Sequence, residues 1–325
     1  MKHLIHDSSP NGVQYRQIDA DHAGQRLDNY LISSCKGVPK SHIYRLVRQG
    51  QVRINRGRRR VDYRLRLGDV VRIPPLRVAV PAPRVTPAHR VQLFSVGPCI
   101  VHEDDDLLVI DKPAGLAVHG GSGLSLGLIE ALRRERPHAR FLELVHRLDR
   151  DTSGLLLVAK RRAALLALHE ALRAGQVEKR YVALVRDHWP AHRQQVKVPL
   201  HKFTLRSGER MVEASGGGKE ATTRFLVKRR FSGSTLVDIE LLTGRTHQAR
   251  VHAAYAGHPI AGDVKYGERE FNRLMRHRGL TRLFLHASRL RFKHPGSGRK
   301  LTITAPLPAE LAQVLETLTE NDASL

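Results

Sequence analysis

The sequence predicts an α+β protein with a mixed, mostly antiparallel sheet, preceded by a small basic α/β module. Three observations lead there. Strand-like apolar runs at 107–110, 155–159, 181–185, 236–242 and 301–304 outnumber the helical patterns at 163–174 and 246–256. The two kinds of pattern do not alternate steadily, as a doubly wound parallel sheet requires. The chain, at 325 residues, also exceeds the usual size of one domain, and a proline-rich stretch at 78–98 breaks it.

Residues 1–18 read as an N-terminal extension and 19–77 as the basic module. Leu27, Tyr30 and Leu31 recur at helical spacing after Asp21 and Gly24. A second helix follows Pro39-Lys40-Ser41, with Ser41 expected as its N-cap and Ile43, Leu46 and Val47 on one face. Gly50 ends it. Residues 51–55 alternate like a strand, 55–60 make a basic turn, and 70–73 form another strand. Between residues 36 and 77 there are thirteen Lys/Arg against two acids, within a chain of net charge +24. An excess of that density and sign points to a polyanion. Lys40, Arg45, Arg48, Arg53, Arg58, Arg59 and Arg60 are the candidate phosphate contacts.

Pro81, Pro83, Pro87 and Pro98 make 78–98 a linker. Residues 99–325 then form one large domain. Its helix at 246–256 is stopped by Gly257, and 284–292 alternates as a half-buried strand. The run Ser215-Gly216-Gly217-Gly218 reads as a flexible loop. No stretch approaches the ~18 consecutive apolar residues of a spanning helix. The N-terminal twenty residues lack an apolar core of export-signal length. Cys35 and Cys99 are too few for a disulfide framework or a multi-cysteine zinc site. A reduced, cytoplasmic protein is expected.

The chemistry concentrates in HRLDRDTSG, 146–154, set between the apolar runs 141–145 and 155–159. A turn at the end of a sheet accounts for Asp151, Thr152, Ser153 and Gly154. It accounts less well for His146, Arg147 and Asp149, since ionisable groups beside a core strand are costly unless paired. An aspartate near arginines is expected to be ionised, suited to act as a nucleophile or electrostatic stabiliser rather than a general acid.

TGRTHQARVHAAYAG, 243–257, turns into a helix at Gly244 and Thr246. Arg245, His247, Arg250 and His252 there suit phosphate or a carboxylate; a plain basic helix face is the competing account. His247 and His252 are five apart with no interleaved carboxylate, so no zinc site is expected. Tyr181 heads an apolar strand, where it is either core or a stacking surface for a base. DKPAGLAVHGGSG, 111–123, is glycine-rich but lacks the Gly-Lys-Ser/Thr ending of a nucleotide-triphosphate loop.

Taken together, DKPAGLAVH, HRLDRDTSGLLLVAK, KRYVALV, TGRTHQARVHAAYAGHPIAGDVKYG and LFLHASRLRFKHP make residues 99–325 resemble the RluA-type pseudouridine synthases. RLDNYL, SHIYRLVRQGQVRIN and RLGDVVRIPP make 26–75 resemble an S4 RNA-binding domain. The combination is most similar to members that modify large-subunit (23S) ribosomal RNA, alone or in an early ribosomal precursor. The resemblance implies an isomerisation without cofactor or metal: the ribose C1′–N1 bond of a flipped uridine breaks, the uracil turns, and C5 bonds to C1′. It implies Asp149 as the catalytic aspartate, acting by attack on C1′ or through a glycal. Arg245 would pair with Asp149, Tyr181 stack on the base, Arg147 lie near the flipped nucleotide and Leu285 line the uracil pocket. His146 and Thr246, within the same motifs, join the substrate-binding set. A monomer is expected. The competing readings are a non-catalytic RNA-binding ribosome-assembly factor, a sister synthase acting on other RNA uridines, and a phosphodiesterase, which fits badly without a metal cluster or histidine pair.

Overall fold

A computed structural model describes residues 12–19, 22–35, 37–76, 95–120, 127–190, 194–205 and 209–319. The chain divides into two compact units between residues 93 and 94. That division falls inside the expected linker, most of which, 78–94, lies outside the described residues.

The first unit contains β1 (Gln14–Gln17), α1 (Leu27–Ser34), α2 (Lys40–Arg48), β2 (Arg53–Ile54) and β3 (Val70–Ile73). Its sheet has the order β1-β3-β2, antiparallel throughout. The expected extension at 1–18 is corrected here, because 14–17 pairs along β3 and so belongs to the module. Ile43, Leu46 and Val47 of α2 pack against Leu27, Tyr30 and Leu31 of α1 and Val71 and Ile73 of β3. The apolar stripe at helical spacing is thus the buried face. Ser41 is not the N-cap. The Pro39 carbonyl already accepts the His42 and Ile43 N–H groups, so the helix opens two residues earlier.

The second unit contains β4 (Ile100–Glu103), β5 (Leu107–Lys112), α3 (Leu128–Glu135), β6 (Glu143–Leu144), β7 (Ser153–Ala159), α4 (Arg162–Arg173), β8 (Glu178–Arg186), β9 (Gln195–Lys197), β10 (Leu200–Thr204), β11 (Arg210–Ala214), β12 (Thr222–Phe231), β13 (Ser234–Leu241), α5 (Gln248–Tyr255), α6 (Arg269–His277), β14 (Leu285–Lys293), β15 (Lys300–Thr304) and α7 (Ala309–Glu316). The main sheet runs β4-β5-β7-β14-β8-β13-β12-β9, with β15 on β14 and β6 on β7; β10 and β11 form a separate hairpin. Every described pairing in it is antiparallel except β7 with β14. The α+β expectation is met.

β7 explains its unbroken apolar sequence. Leu156 and Val158 face one core with α3 residues Leu128, Ile129 and Leu132. Leu155, Leu157 and Ala159 face another with α4 residues Ala164 and Leu168. A strand covered on both faces loses the polar alternation of an edge strand. β8 divides similarly: Tyr181, Ala183 and Val185 join the first core, with Ala249 and Ala253 of α5. Val182 and Leu184 pack under α6 and α7. The glycine run at 215–218 is a packed turn rather than a free loop. The Gly218 N–H donates to the Ser215 carbonyl, and a side chain at 218 would strike the Leu200 backbone.

Candidate active site

The two apolar flanks of HRLDRDTSG pair with each other, Glu143 with Ala159 and Leu144 with Val158. The motif is therefore a hairpin loop raised at the end of β7. Several contacts fix it. His146 Nε2 accepts the Leu157 N–H at 3.2 Å. Burial, then the Lys179 charge, pushes that imidazole down to about 4, so it acts as a neutral acceptor. Leu148 is buried in the core, and the Thr152 N–H closes the turn onto the Asp149 carbonyl at 3.2 Å. Gly154 meets Ala287 across the parallel β7–β14 contact, with φ at +108° and the Ala287 carbonyl oxygen 2.3 Å from where a Cβ would stand. Only glycine permits that approach. Lys112, fully buried, donates to the carbonyls of Pro113, Leu116 and Arg150 at 2.8, 2.9 and 3.0 Å. Burial lowers its pKa to about 7. The stretch considered for phosphate binding thus ties the 146–154 loop to the end of β5.

The second motif wraps Gln248. Its side chain accepts from the Thr243 hydroxyl (2.7 Å) and the Arg245 N–H (3.0 Å), and donates to the Thr222 carbonyl (3.0 Å) and Thr223 Oγ1 (2.9 Å). α5 opens at Gln248, two residues later than expected, because His247 is left-handed with φ 55°. That kink brings His247 Nε2 to 3.7 Å from Asp149 Oδ1. Arg250, in the first turn of α5, lies with Nη1 3.4 Å from Asp149 Oδ2. Its Nε and Nη2 grip Asp263 at 2.7 and 2.8 Å. Burial works against the Arg250 charge, but the hydrogen bonds and charge of Asp263, with Asp149, hold its pKa above the ordinary value. Burial likewise opposes the Asp263 carboxylate, and Arg250 more than offsets it.

The expected Arg245–Asp149 pair is corrected by this geometry. Arg245 precedes the helix, and its Nε donates to the Glu220 carbonyl at 3.0 Å. The arginine on Asp149 is Arg250, five residues further on. His252 is no phosphate ligand either: it is buried, bridging Thr223 Oγ1 at 2.8 Å and the Val198 carbonyl at 2.9 Å.

Asp149, Arg245, Tyr181, Arg147, Leu285, His146 and Thr246 all line one cavity of about 490 Å³. Asp149 is 17% exposed and stands at its boundary with a second concavity of about 820 Å³, which also meets Arg147, Arg250, Asp263 and Lys265. Tyr181 and Leu285 supply buried apolar wall from neighbouring strands β8 and β14. Burial, then the Asp149 charge, pushes the Tyr181 phenol far above its usual pKa, so it stays protonated. The chamber offers one carboxylate flanked by a guanidinium and an imidazole, a flat aromatic wall and a basic mouth. That suits a planar, neutral heterocycle attached to a sugar phosphate.

On the first unit, Lys40, Arg45, Arg48, Arg53, Arg58, Arg59 and Arg60 are all exposed. Among the described residues, Asp104, Asp106 and His294 form a group with metal-ligand atoms close together. None lines either cavity, and Asp104 already accepts from His102 or His294 and from two backbone N–H groups. Gln248, Asp263, Tyr266 and Lys112 were not singled out by sequence. Each has at least one hydrogen-bond partner distant in the chain: Thr222 and Thr223 for Gln248, Arg250 for Asp263, His247 and Val212 for Tyr266, and Arg150 for Lys112.

The RNA pseudouridylate synthase family profile matches residues 106–255 and the S4 domain profile matches 25–71. The chain is 55% identical over 309 residues to ribosomal large subunit pseudouridine synthase C of Yersinia pestis, covering 95% of this chain and 97% of that protein. It is 54% identical over 308 residues to the protein of that name from Escherichia coli K12, covering 94% and 97%. Among solved structures, human RNA pseudouridylate synthase domain containing 4 aligns with a TM-score of 0.56 at 29% identity, covering 68% of this chain and 93% of that one.

Proposed function

The chain belongs to the RNA pseudouridylate synthase family, and from that premise we propose that it converts uridines of large-subunit (23S) ribosomal RNA to pseudouridine with Asp149 as the catalytic carboxylate. The relatives at 54–55% identity bear the large-subunit name over nearly their whole length, which supports the substrate. The observation that carries the site is the Asp149 carboxylate at the wall of a 490 Å³ cavity, between Arg250 and His247 and facing the chamber of Tyr181 and Leu285.

A uridine reaches such a chamber only after leaving its stack, which costs a few kcal/mol. Phosphate contacts from the exposed lysines and arginines of the first unit offset that cost, and Tyr181 stacking contributes ~1–3 kcal/mol. Asp149 then acts at ribose C1′, by direct attack or by assisting a glycal, as the C1′–N1 bond breaks. The uracil turns against Tyr181 and Leu285, C5 bonds to C1′, C5 gives up its proton, and N1 ends protonated. Atoms and electrons balance without an external reagent. Arg147, at the mouth of both concavities, contacts the flipped nucleotide's phosphate; His146 holds the loop rather than the base. Among the described residues no helix is long and apolar enough to cross a membrane. We place the enzyme in the cytoplasm, acting as a monomer.

The test is Asp149→Asn or Asp149→Ala, assayed for uridine conversion in unmodified ribosomal RNA. We expect turnover to vanish while RNA binding largely survives. Full activity in either variant removes Asp149 from its role. Mapping pseudouridines in ribosomal RNA from cells with and without the protein identifies the uridines.

A further inference from the structure

We infer that Tyr266 is a positioning residue for the isomerisation, setting through one side chain both groups that hold the Asp149 carboxylate. The inference rests on Asp149 being the catalytic acid.

The hydroxyl of Tyr266 lies 2.7 Å from His247 Nδ1 and accepts the Val212 N–H at 3.0 Å. Its ring meets the His247 ring edge-on, centroids 5.5 Å apart at 64°. The same ring lies under Arg250, whose guanidinium carbon is 5.1 Å from the centroid. His247 and Arg250 are the residues that approach Asp149 Oδ1 and Oδ2. Tyr266 therefore touches each partner of the carboxylate without touching the carboxylate.

Hydrogen-bond logic assigns the imidazole proton. The phenol oxygen accepts the Val212 N–H, and in the arrangement we assign the phenol proton goes to His247 Nδ1. The imidazole then carries its own proton on Nε2, the nitrogen facing Asp149. The opposite tautomer would aim a lone pair at a carboxylate. Burial lowers the His247 pKa; Arg250 and Lys265 oppose its charge while Asp149 and Asp263 favour it, and the net direction is down. A neutral ring delivers a directed N–H without adding a second full charge beside Arg250.

The turn that supplies Tyr266 is itself rigid. Asp263 Oδ1 accepts the Lys265 and Tyr266 N–H groups at 2.9 and 3.0 Å, and Asp263 also grips Arg250. One turn thus holds the arginine from one side through Asp263 and from the other through Tyr266. Groups fixed in this way need no reorganisation as charge moves in the transition state.

The test is a double-mutant cycle in the full chain, with Tyr266→Phe, His247→Asn and the double variant. The substrate is an unmodified ribosomal RNA fragment. Asparagine tolerates the left-handed backbone at 247, so the fold survives that change. Tyr266→Phe keeps the ring beneath Arg250 and removes only the hydroxyl. We expect Tyr266→Phe to lower kcat about tenfold, roughly the loss of one well-placed hydrogen bond, with KM within about twofold. The double variant should be no slower than His247→Asn alone, because the hydroxyl acts through the imidazole. Additive losses, an unchanged kcat in Tyr266→Phe, or a loss confined to KM would overturn the inference. Asp149→Asn run alongside separates the two readings. If it is inactive and the cycle is additive, only Tyr266 loses its role; if it is fully active, the catalytic assignment itself fails.

Discussion

Arg250 meets Asp149 with a single nitrogen, Nη1 at 3.4 Å from Oδ2, while its Nε and Nη2 are committed to Asp263. The guanidinium is thus fixed before any substrate arrives. Removing one preorganised donor of this kind costs on the order of 10²–10³ in kcat. We expect Arg250→Met to fall in that range, and Arg250→Lys to recover little, since lysine cannot grip Asp263 with two nitrogens. Arg245→Met, which loses a contact to a backbone carbonyl, should act mainly on KM. Steady-state kinetics of the three variants check this, and an Arg245 variant with the larger kcat loss would reverse the assignment.

Tyr181 is a wall of the chamber, on the strand beside Leu285. Tyr181→Phe retains the face and should keep most of the kcat/KM. Tyr181→Leu should lose about 1–3 kcal/mol of stacking, between about fivefold and 150-fold in kcat/KM. Equal losses in both variants would mean that the hydroxyl, not the ring, contributes.

The arginines at 58–60 are exposed on the first unit. If they neutralise phosphates, log affinity should fall linearly with log salt, by about 0.7–0.9 in slope per contact. Replacing Arg58, Arg59 and Arg60 together with Gln should flatten the slope by about 2 when all three make contact. Filter-binding titrations at several salt concentrations measure it, and an unchanged slope would leave these residues as solvated surface.

His286 is buried, with Nδ1 3.0 Å from Ser153 Oγ and Nε2 3.4 Å from the Ala305 carbonyl. Burial lowers its pKa to about 4 from 6.5. The folded state therefore binds this proton less readily than the unfolded chain. Its neutral form is compatible with full stability above about pH 6.5, and stability falls as pH drops toward 4. The loss approaches about 3 kcal/mol at the low end. Denaturant unfolding at a series of pH values should show that slope, and His286→Gln should reduce it. His146, also lowered to about 4, adds to the same window.

The site's outer motifs were legible because catalysis requires residue types that a strand junction does not otherwise need. His146, Arg147 and Asp149 between two apolar runs are costly without a purpose, and the structure places all three at the cavity. The apolar runs of β5, β7, β8 and β13 were legible for the opposite reason, since core strands advertise burial. What stayed hidden is long-range. Asp263 and Tyr266 sit in an ordinary-looking turn, and only the fold shows that they face Arg250 and His247. Arg245 and Arg250 are indistinguishable by type. The left-handed backbone at His247 decides which one turns toward Asp149, and nothing in the residues either side announces it. The parallel β7–β14 contact is equally silent, although Gly154 is its necessary condition.

That contact joins Ser153 to His286, 133 positions later in the chain. Arg250 is likewise 101 positions from Asp149. Loop-closure entropy must be overcome before such pairings form. During synthesis from the N-terminus, the basic module emerges whole while the reactive hairpin still lacks its neighbouring strand. A nascent chain released before residue 287 would capture RNA yet leave it unaltered, so chemistry is the last competence the polypeptide acquires.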